Sequence, residues 1–345
     1  MKVQLVALSL TLVGSCATLR HTKKIENLKA SIVFEDSQTV KTYLNTITED
    51  DLKSHVYTFS SDDFQGRRAG EIGHHKATKF IKDFYIQEGI KSPLGSKYYQ
   101  YIPEAYFSEG IKDSQNVIAY IEGSEQPDEV IIISAHSDHE GFTDTDIYNG
   151  ADDNGSGTAA VLEMAQAFKI AAAEGYRPKR SIVFLHLTGE EVGLNGSRYY
   201  AQYPVFSMKN TVANLNIDMI GRVDDAHSDN EDYVYVIGAD RLSTQLHYIS
   251  EEANEQFTNL ELDYRLNKDN DPNRYYYRSD HYNFAQKGVP VIFYFNGEHE
   301  DYHEPTDTPD KINYPLLEKR TRLIFATAWY LANSKNRIVV DKDAS

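Results

Sequence analysis

Short apolar runs rich in β-branched residues alternate along this chain with stretches of helical periodicity, and that alternation restricts its architecture more than any other feature. Val117 to Ile121 and Val130 to Ile133 read as strands, followed by a helix over Ser156 to Ala173 in which Val161, Met164, Ala165 and Phe168 recur at helical spacing. Ile182 to Leu187, Val212 to Ile217, Tyr233 to Ile237 and Val289 to Phe295 add strands, with helical stretches around Gln245 to Gln256 and Leu316 to Ala332. Upstream, Ala77, Phe80, Ile81, Phe84 and Tyr85 predict a helix between Gly73 and Gly89, the second glycine placed to end it. Such a pattern predicts an α/β fold, a three-layer sandwich around a mixed, mostly parallel central sheet. No internal repeat and no linker rich in Pro, Gly or Ser follows Ser31, so residues 32–340 are expected to form a single domain.

The first residues have a different character. Lys2 precedes an apolar run from Leu5 to Val13, too brief to span a bilayer but the right length for the core of a signal peptide. Val13-Gly14-Ser15-Cys16 resembles the lipobox of bacterial lipoproteins, in which the signal is removed ahead of an acylated cysteine. A signal peptide over 1–15, a lipidated Cys16 anchoring the protein to a membrane of the bacterial envelope, and a polar, basic spacer over 16–31 are therefore expected. An ordinary secretory signal with a chance cysteine is the alternative, and both place the mature protein outside the cytoplasm.

Composition narrows the partners. With 41% hydrophobic residues the chain can bury a substantial core, and with one cysteine it must do so without an internal disulfide. Its formal charge of −17 would repel a phosphate backbone, which sets nucleic acid aside as a partner.

Three clusters of metal-binding residue types fall just after expected strands: Ala135-His136-Ser137-Asp138-His139, Gly189-Glu190-Glu191 and Asn216-Ile217-Asp218. Functional sites of open α/β sheets lie beyond the carboxyl ends of the strands, so these side chains are expected to converge. Gly150-Ala151-Asp152-Asp153-Asn154, ahead of a helix, and His303 in Tyr302-His303-Glu304-Pro305 join them. So many carboxylates at one sheet edge repel one another and resist burial, a cost that divalent cations remove. Carboxylates mixed with neutral imidazoles suit zinc, and one carboxylate can bridge two ions about 3.5–4 Å apart.

Taken with Asn116-Val117-Ile118-Ala119, Glu190-Glu191-Val192-Gly193-Leu194-Asn195-Gly196-Ser197, Ile217-Asp218-Met219 and Ser279-Asp280-His281, these motifs stand in a family order. Over most of its length the chain resembles the di-zinc aminopeptidases of metallopeptidase clan MH, family twenty-eight. That resemblance implies the phosphorylase/hydrolase-like zinc exopeptidase fold and two Zn2+ ions, and it implies peptides with a free N-terminus as substrates. It implies further that His136 and Asp218 bind one zinc, Glu191 and His303 the other, and that Asp152 bridges them, with a cis peptide bond between Asp152 and Asp153. Glu190 would be the general base toward a water activated between the ions, and would return the proton to the leaving amine. Asp138 would accept a hydrogen bond from His136 and hold its tautomer. Tyr276 falls where some relatives keep an oxyanion-stabilising tyrosine, although the run Tyr275-Tyr276-Tyr277 leaves that alignment ambiguous by one residue.

Other readings are weaker. Gly155-Ser156-Gly157-Thr158-Ala159-Ala160 matches a dinucleotide fingerprint, but the acidic pair upstream would repel a pyrophosphate. His299-Glu300-Asp301-Tyr302-His303 matches a single-zinc helix motif, yet Gly297 and Pro305 frame it as a loop in which only His303 is expected to bind metal. Asp144-Thr145-Asp146 lacks the later ligands of a calcium loop. His139, His186, His281 and His299 are expected to be structural. Within the fold, a one-zinc glutaminyl cyclase and a carboxypeptidase are the competing activities, and a non-catalytic binding lipoprotein is the competing class.

Overall fold

A computed structural model of the chain describes residues 22–108 and 110–343. The expected signal peptide, Cys16 and the start of the spacer lie outside the described residues. Two units are distinguished, Met1–Ser37 and Gln38–Ser345. In the first, residues 22–31 are helical where a spacer without periodicity is expected, in keeping with the helix-forming Lys, Glu, Leu and Ala of that segment. Among the described residues no helix is long and apolar enough to cross a membrane.

Among its described residues the second unit has ten strands: β1 (Tyr99–Ile102), β2 (Ser114–Ile121), β3 (Gln126–His136), β4 (Gly141–Phe142), β5 (Ile147–Tyr148), β6 (Arg180–Leu187), β7 (Thr211–Ile217), β8 (Tyr233–Ile237), β9 (Glu261–Asp263) and β10 (Val291–Phe295). Strands β4 and β5 pair in a small hairpin, and the other eight form one sheet in the order β1-β2-β6-β3-β7-β10-β8-β9. Neighbours β6-β3-β7-β10 run parallel, whereas β2 on β6 and β8 on β10 are antiparallel. Every residue of β6, β7, β8 and β10 is buried, as strands covered on both faces require.

Six of the helices among the described residues flank the sheet or the site: α1 (Glu49–Phe59), α2 (Ile72–Gln87), α3 (Gly157–Ala173), α4 (Asn195–Gln202), α5 (His281–Ala285) and α6 (Tyr314–Asn333). The periodicity in Ala77, Ile81 and Tyr85 is the buried face of α2. Thr48 and three acidic residues in the first turn start α1, satisfying free amides and the helix dipole. On one face of the sheet, Phe168 of α3 lies 4.5 Å from Phe325 and 5.8 Å from Trp329 of α6, ring centre to ring centre, and 6.5 Å from Phe184 of β6. On the other face, Leu185, Phe293 and Phe295 pack in one cluster with Tyr200 of α4 and Phe284 of α5. Successive residues of β6 thus serve opposite faces, and the expected sandwich around a mostly parallel mixed sheet is what the chain forms.

Phe168 is fully buried at the junction of β6, α3 and α6. Phe168→Ala should therefore cost about 3–5 kcal/mol through lost contacts and the cavity left behind, measurable as a lowered midpoint in urea unfolding.

Candidate metal centre

Because β3, β6, β7 and β10 are parallel, their carboxyl ends share one edge of the sheet, and each delivers a metal-binding residue type there. His136 is the last residue of β3, Glu190 and Glu191 follow β6, Asp218 follows β7, and His303 lies in the loop after β10. A wide turn, Ala151–Ser156, precedes α3 and carries the two aspartates. Gly150 enters that turn at φ +51°, and a Cβ there would stand 2.1 Å from the Asp153 carbonyl oxygen and 2.6 Å from the His139 ring, so no other residue fits.

The turn decides which aspartate enters the site. Asp152, the expected bridging residue, turns away: one of its carboxylate oxygens accepts from the Gly221 N–H at 2.6 Å and the other faces His299 Nε2 at 3.1 Å. Asp153 takes the central place. Its Oδ1 lies 3.2 Å from His136 Nε2 and its Oδ2 lies 3.1 Å from His303 Nε2. The cis peptide bond stands at Asp153–Asn154, not at the expected Asp152–Asp153. Both differences are a one-residue shift within the Asp-Asp pair.

Around Asp153 the groups divide in two. His136 Nε2 also lies 3.3 Å from Asp218 Oδ1, and His303 Nε2 lies 3.1 Å from Glu191 Oε2. Four of the five expected ligands, His136, Glu191, Asp218 and His303, are thus brought together. His139, expected to be structural, joins them, with Nδ1 2.8 Å from Glu191 Oε1. The sequence signal for it was its place on the same loop as His136. His299, by contrast, pairs with Asp152, and residues 299–303 are not helical, so the two imidazoles of the H-E-x-x-H pattern go to different partners. His186 faces the Tyr85 hydroxyl at 2.7 Å instead, and His281 stacks on Phe293.

Two further expectations are corrected. The Asp138 carboxylate stands 3.9 Å from His136 Nδ1 and instead accepts the Glu190 backbone N–H at 3.2 Å. It is the Asp138 carbonyl oxygen, 3.2 Å from Nδ1, that accepts the hydrogen bond of that ring nitrogen and leaves Nε2 facing the carboxylates. Tyr276 is not at the site: it packs in the core under Arg241, whose guanidinium lies 4.1 Å from its ring centre. Tyr275 lines the pocket beside the carboxylates, with Glu190, Met219, Arg278, Phe293, Phe295, Glu298 and Tyr302. Arg278 and Glu298 form a 2.7 Å ion pair there.

The electrostatics show a site that calls for positive charge. Burial works against a charged His136, yet Asp218 and Asp153 outweigh it and hold the imidazole well above its ordinary range. Burial likewise opposes charge on His303, but Asp153 and Glu191 raise it to about 11. Burial pushes Glu190 well above the usual carboxylate range, Glu191, Asp218 and Asp280 reinforce the shift, and His136 offsets it in part. Burial also raises Asp138 to about 7. His303 Nε2 is itself buried, in a geometry that satisfies no hydrogen bond although two carboxylate oxygens are near. Imidazole nitrogens and carboxylate oxygens facing one another in this way are a donor set that fits zinc.

An α/β sandwich that gathers imidazoles and carboxylates beyond the carboxyl ends of its parallel strands defines the class of metal-dependent hydrolases. Within that class the chain belongs to peptidase family M28, whose sequence model matches residues 116–328. A probable zinc metalloprotease of Pyricularia oryzae is 29% identical over 266 residues, covering 65% of this chain and 51% of its own length. Aminopeptidase YwaD of Bacillus subtilis is 28% identical over 229 residues, covering 64% of this chain and 43% of its own length. The chain thus spans about half the length of these relatives. LapB from Legionella pneumophila has a similar fold, with a TM-score of 0.70 at 20% identity over 90% of this chain and 81% of that one.

Proposed function

We propose that this protein is a two-zinc aminopeptidase that removes N-terminal residues from peptides. One observation carries the reading: the Asp153 carboxylate presents one oxygen to His136 and the other to His303, so that a single side chain belongs to two ligand groups. His136, Asp153 and Asp218 would hold one cation, and Asp153, Glu191 and His303 the other. Zinc at such a site polarises a carbonyl and lowers the pKa of water.

The chain's own residues supply the rest. Glu190 has a carboxylate oxygen within 4.8 Å of donor atoms of both His136 and Glu191, and its raised pKa suits a group that takes a proton from water and returns it to the leaving amine. Asp138 accepts the Glu190 N–H and so fixes the backbone from which that carboxylate projects. Met219, Tyr275, Phe293 and Phe295 offer an apolar wall to the first side chain of a substrate.

Paired aminoacyl anilides test the assignment. Hydrolysis of the free amine is expected and hydrolysis of its N-acylated counterpart is not. Equal turnover of both would remove the exopeptidase reading, and two zinc ions per chain by elemental analysis are expected in the active form.

The lipobox-like Val13-Gly14-Ser15-Cys16 supports a second proposal, that the protein is exported and held at a bacterial envelope membrane through an acylated Cys16. Metabolic labelling with a fatty-acid analogue should mark the wild type and leave Cys16→Ser unlabelled. Label on Cys16→Ser would exclude the anchor.

A further inference from the structure

The turn that carries Asp153 is gripped from both sides by two charged residues outside the ligand set. Arg67 is fully buried, and all of its hydrogen bonds go to backbone carbonyls. Its Nη1 donates to Asn149 O at 2.5 Å and to Phe59 O at 3.1 Å, its Nη2 to Gly150 O at 2.9 Å, and its Nε to Ser137 O at 3.2 Å. Two of these carbonyls open the aspartate turn, and the Ser137 carbonyl directly follows His136. The amides of the same turn face Asp307, also fully buried. Asp307 Oδ1 accepts from the Asp152 N–H at 3.1 Å, and Oδ2 accepts from the Asp152 and Asp153 N–H groups at 3.0 and 3.1 Å. The Asp307 carbonyl takes the Ala151 N–H at 3.2 Å. Asp307 lies four residues beyond His303, on the same loop.

A guanidinium cannot accept a hydrogen bond and a carboxylate cannot donate one, so this arrangement specifies a single orientation of the turn's peptide groups. It also joins three ligand-bearing segments, because Arg67 touches the His136 loop and Asp307 belongs to the His303 loop. In the interior both contacts are charge-assisted, and loss of either would leave buried backbone groups unpaired.

We infer that Arg67 and Asp307 are positioning residues that clamp the carbonyl and amide sides of the Asn149–Asp153 turn and thereby set the Asp153 carboxylate between its two ligand groups. The inference rests on the two-zinc reading. Neither residue touches the reacting atoms, so the primary consequence of loosening the clamp is weaker hold on metal. Removal of partners that orient metal ligands typically weakens binding by about 10–100-fold.

Chelator competition on the full zinc-loaded chain tests this, with circular dichroism of the metal-free forms checking the fold and Co2+ substitution reporting ligand geometry by its visible absorption. Asp307→Ala should release zinc at chelator concentrations about 10–100-fold lower than the wild type and should alter the Co2+ spectrum. Asp307→Asn, which keeps an oxygen able to accept the two amides, should recover most of the affinity. Arg67→Lys keeps the charge but not the fork, and should fall between Asp307→Ala and the wild type. If Arg67→Lys does not fold, the two Asp307 variants decide alone. Zinc affinity of Asp307→Ala within about twofold of a wild type that takes up two ions would overturn the clamp while sparing the metal reading. A wild type that takes up no zinc would overturn both.

Discussion

Asp153→Ala is expected to strip the protein of zinc and reduce peptide hydrolysis by at least about a thousandfold, whereas Asp152→Ala is expected to keep its metal. The Asp153 oxygens lie 3.2 and 3.1 Å from the imidazole nitrogens of His136 and His303. Truncating that side chain removes a ligand from both groups at once, and the remaining carboxylates would hold two cations without the charge that links them. A thousandfold corresponds to about 4 kcal/mol of transition-state stabilisation, the scale expected when metal chemistry is lost. Asp152 has a different task. Its carboxylate receives the Gly221 N–H and faces His299. Its loss should lower stability by about 1–3 kcal/mol by leaving those groups unpaired. Elemental analysis and urea unfolding of the two variants separate the effects. Zinc retained by Asp153→Ala and lost from Asp152→Ala would restore the assignment expected from sequence.

Glu190→Gln should show the opposite division, with zinc content unchanged and turnover lowered by about 10²–10⁴-fold, the usual contribution of a positioned proton acceptor. Glutamine matches the shape of glutamate but cannot take a proton. The backbone N–H of residue 190 would still reach Asp138, so the loop after β6 should keep its conformation. Because Glu191, not Glu190, lies beside His303, the metal should stay. Measuring kcat together with bound zinc decides the matter. A Glu190→Gln protein empty of zinc, or one retaining more than about a tenth of wild-type turnover, would assign Glu190 a different role.

Much of the fold was legible because its strands and helices carry strong local patterns. Tyr233 to Ile237 was read with its observed limits, the helix over 157–173 differs from expectation by one residue at its start only, and that over 314–333 by two residues at its start and one at its end. Helix α1 and the short strands β1 and β9 were missed. The 8-residue helix α4 is short and rich in polar residues and tyrosine, with no Leu, Ile, Val or Met to mark its buried face. At the site, the clusters holding His136, Glu191 and Asp218 were legible by residue type and place after strands, His303 by its loop motif, and the choice of each as a ligand came from the family resemblance. Arg67 and Asp307 were not legible, because their partners are backbone groups distant in sequence, and backbone groups leave no mark on residue identity.

The amino-acid sequence by itself determined the α/β class, the sheet edge at which the site forms and the residue types that meet there, since all of these follow from periodicity and from strand ends sharing one side of a parallel sheet. Only the tertiary structure decided between neighbours: Asp153 over Asp152 for the centre of the site, Tyr275 over Tyr276 for its wall, and the Asp138 carbonyl over its carboxylate as the partner of His136. Adjacent side chains leave an irregular backbone in divergent directions. Which one points inward is set by hydrogen bonds made across the fold, here those of Arg67 and Asp307, and not by anything local to the pair.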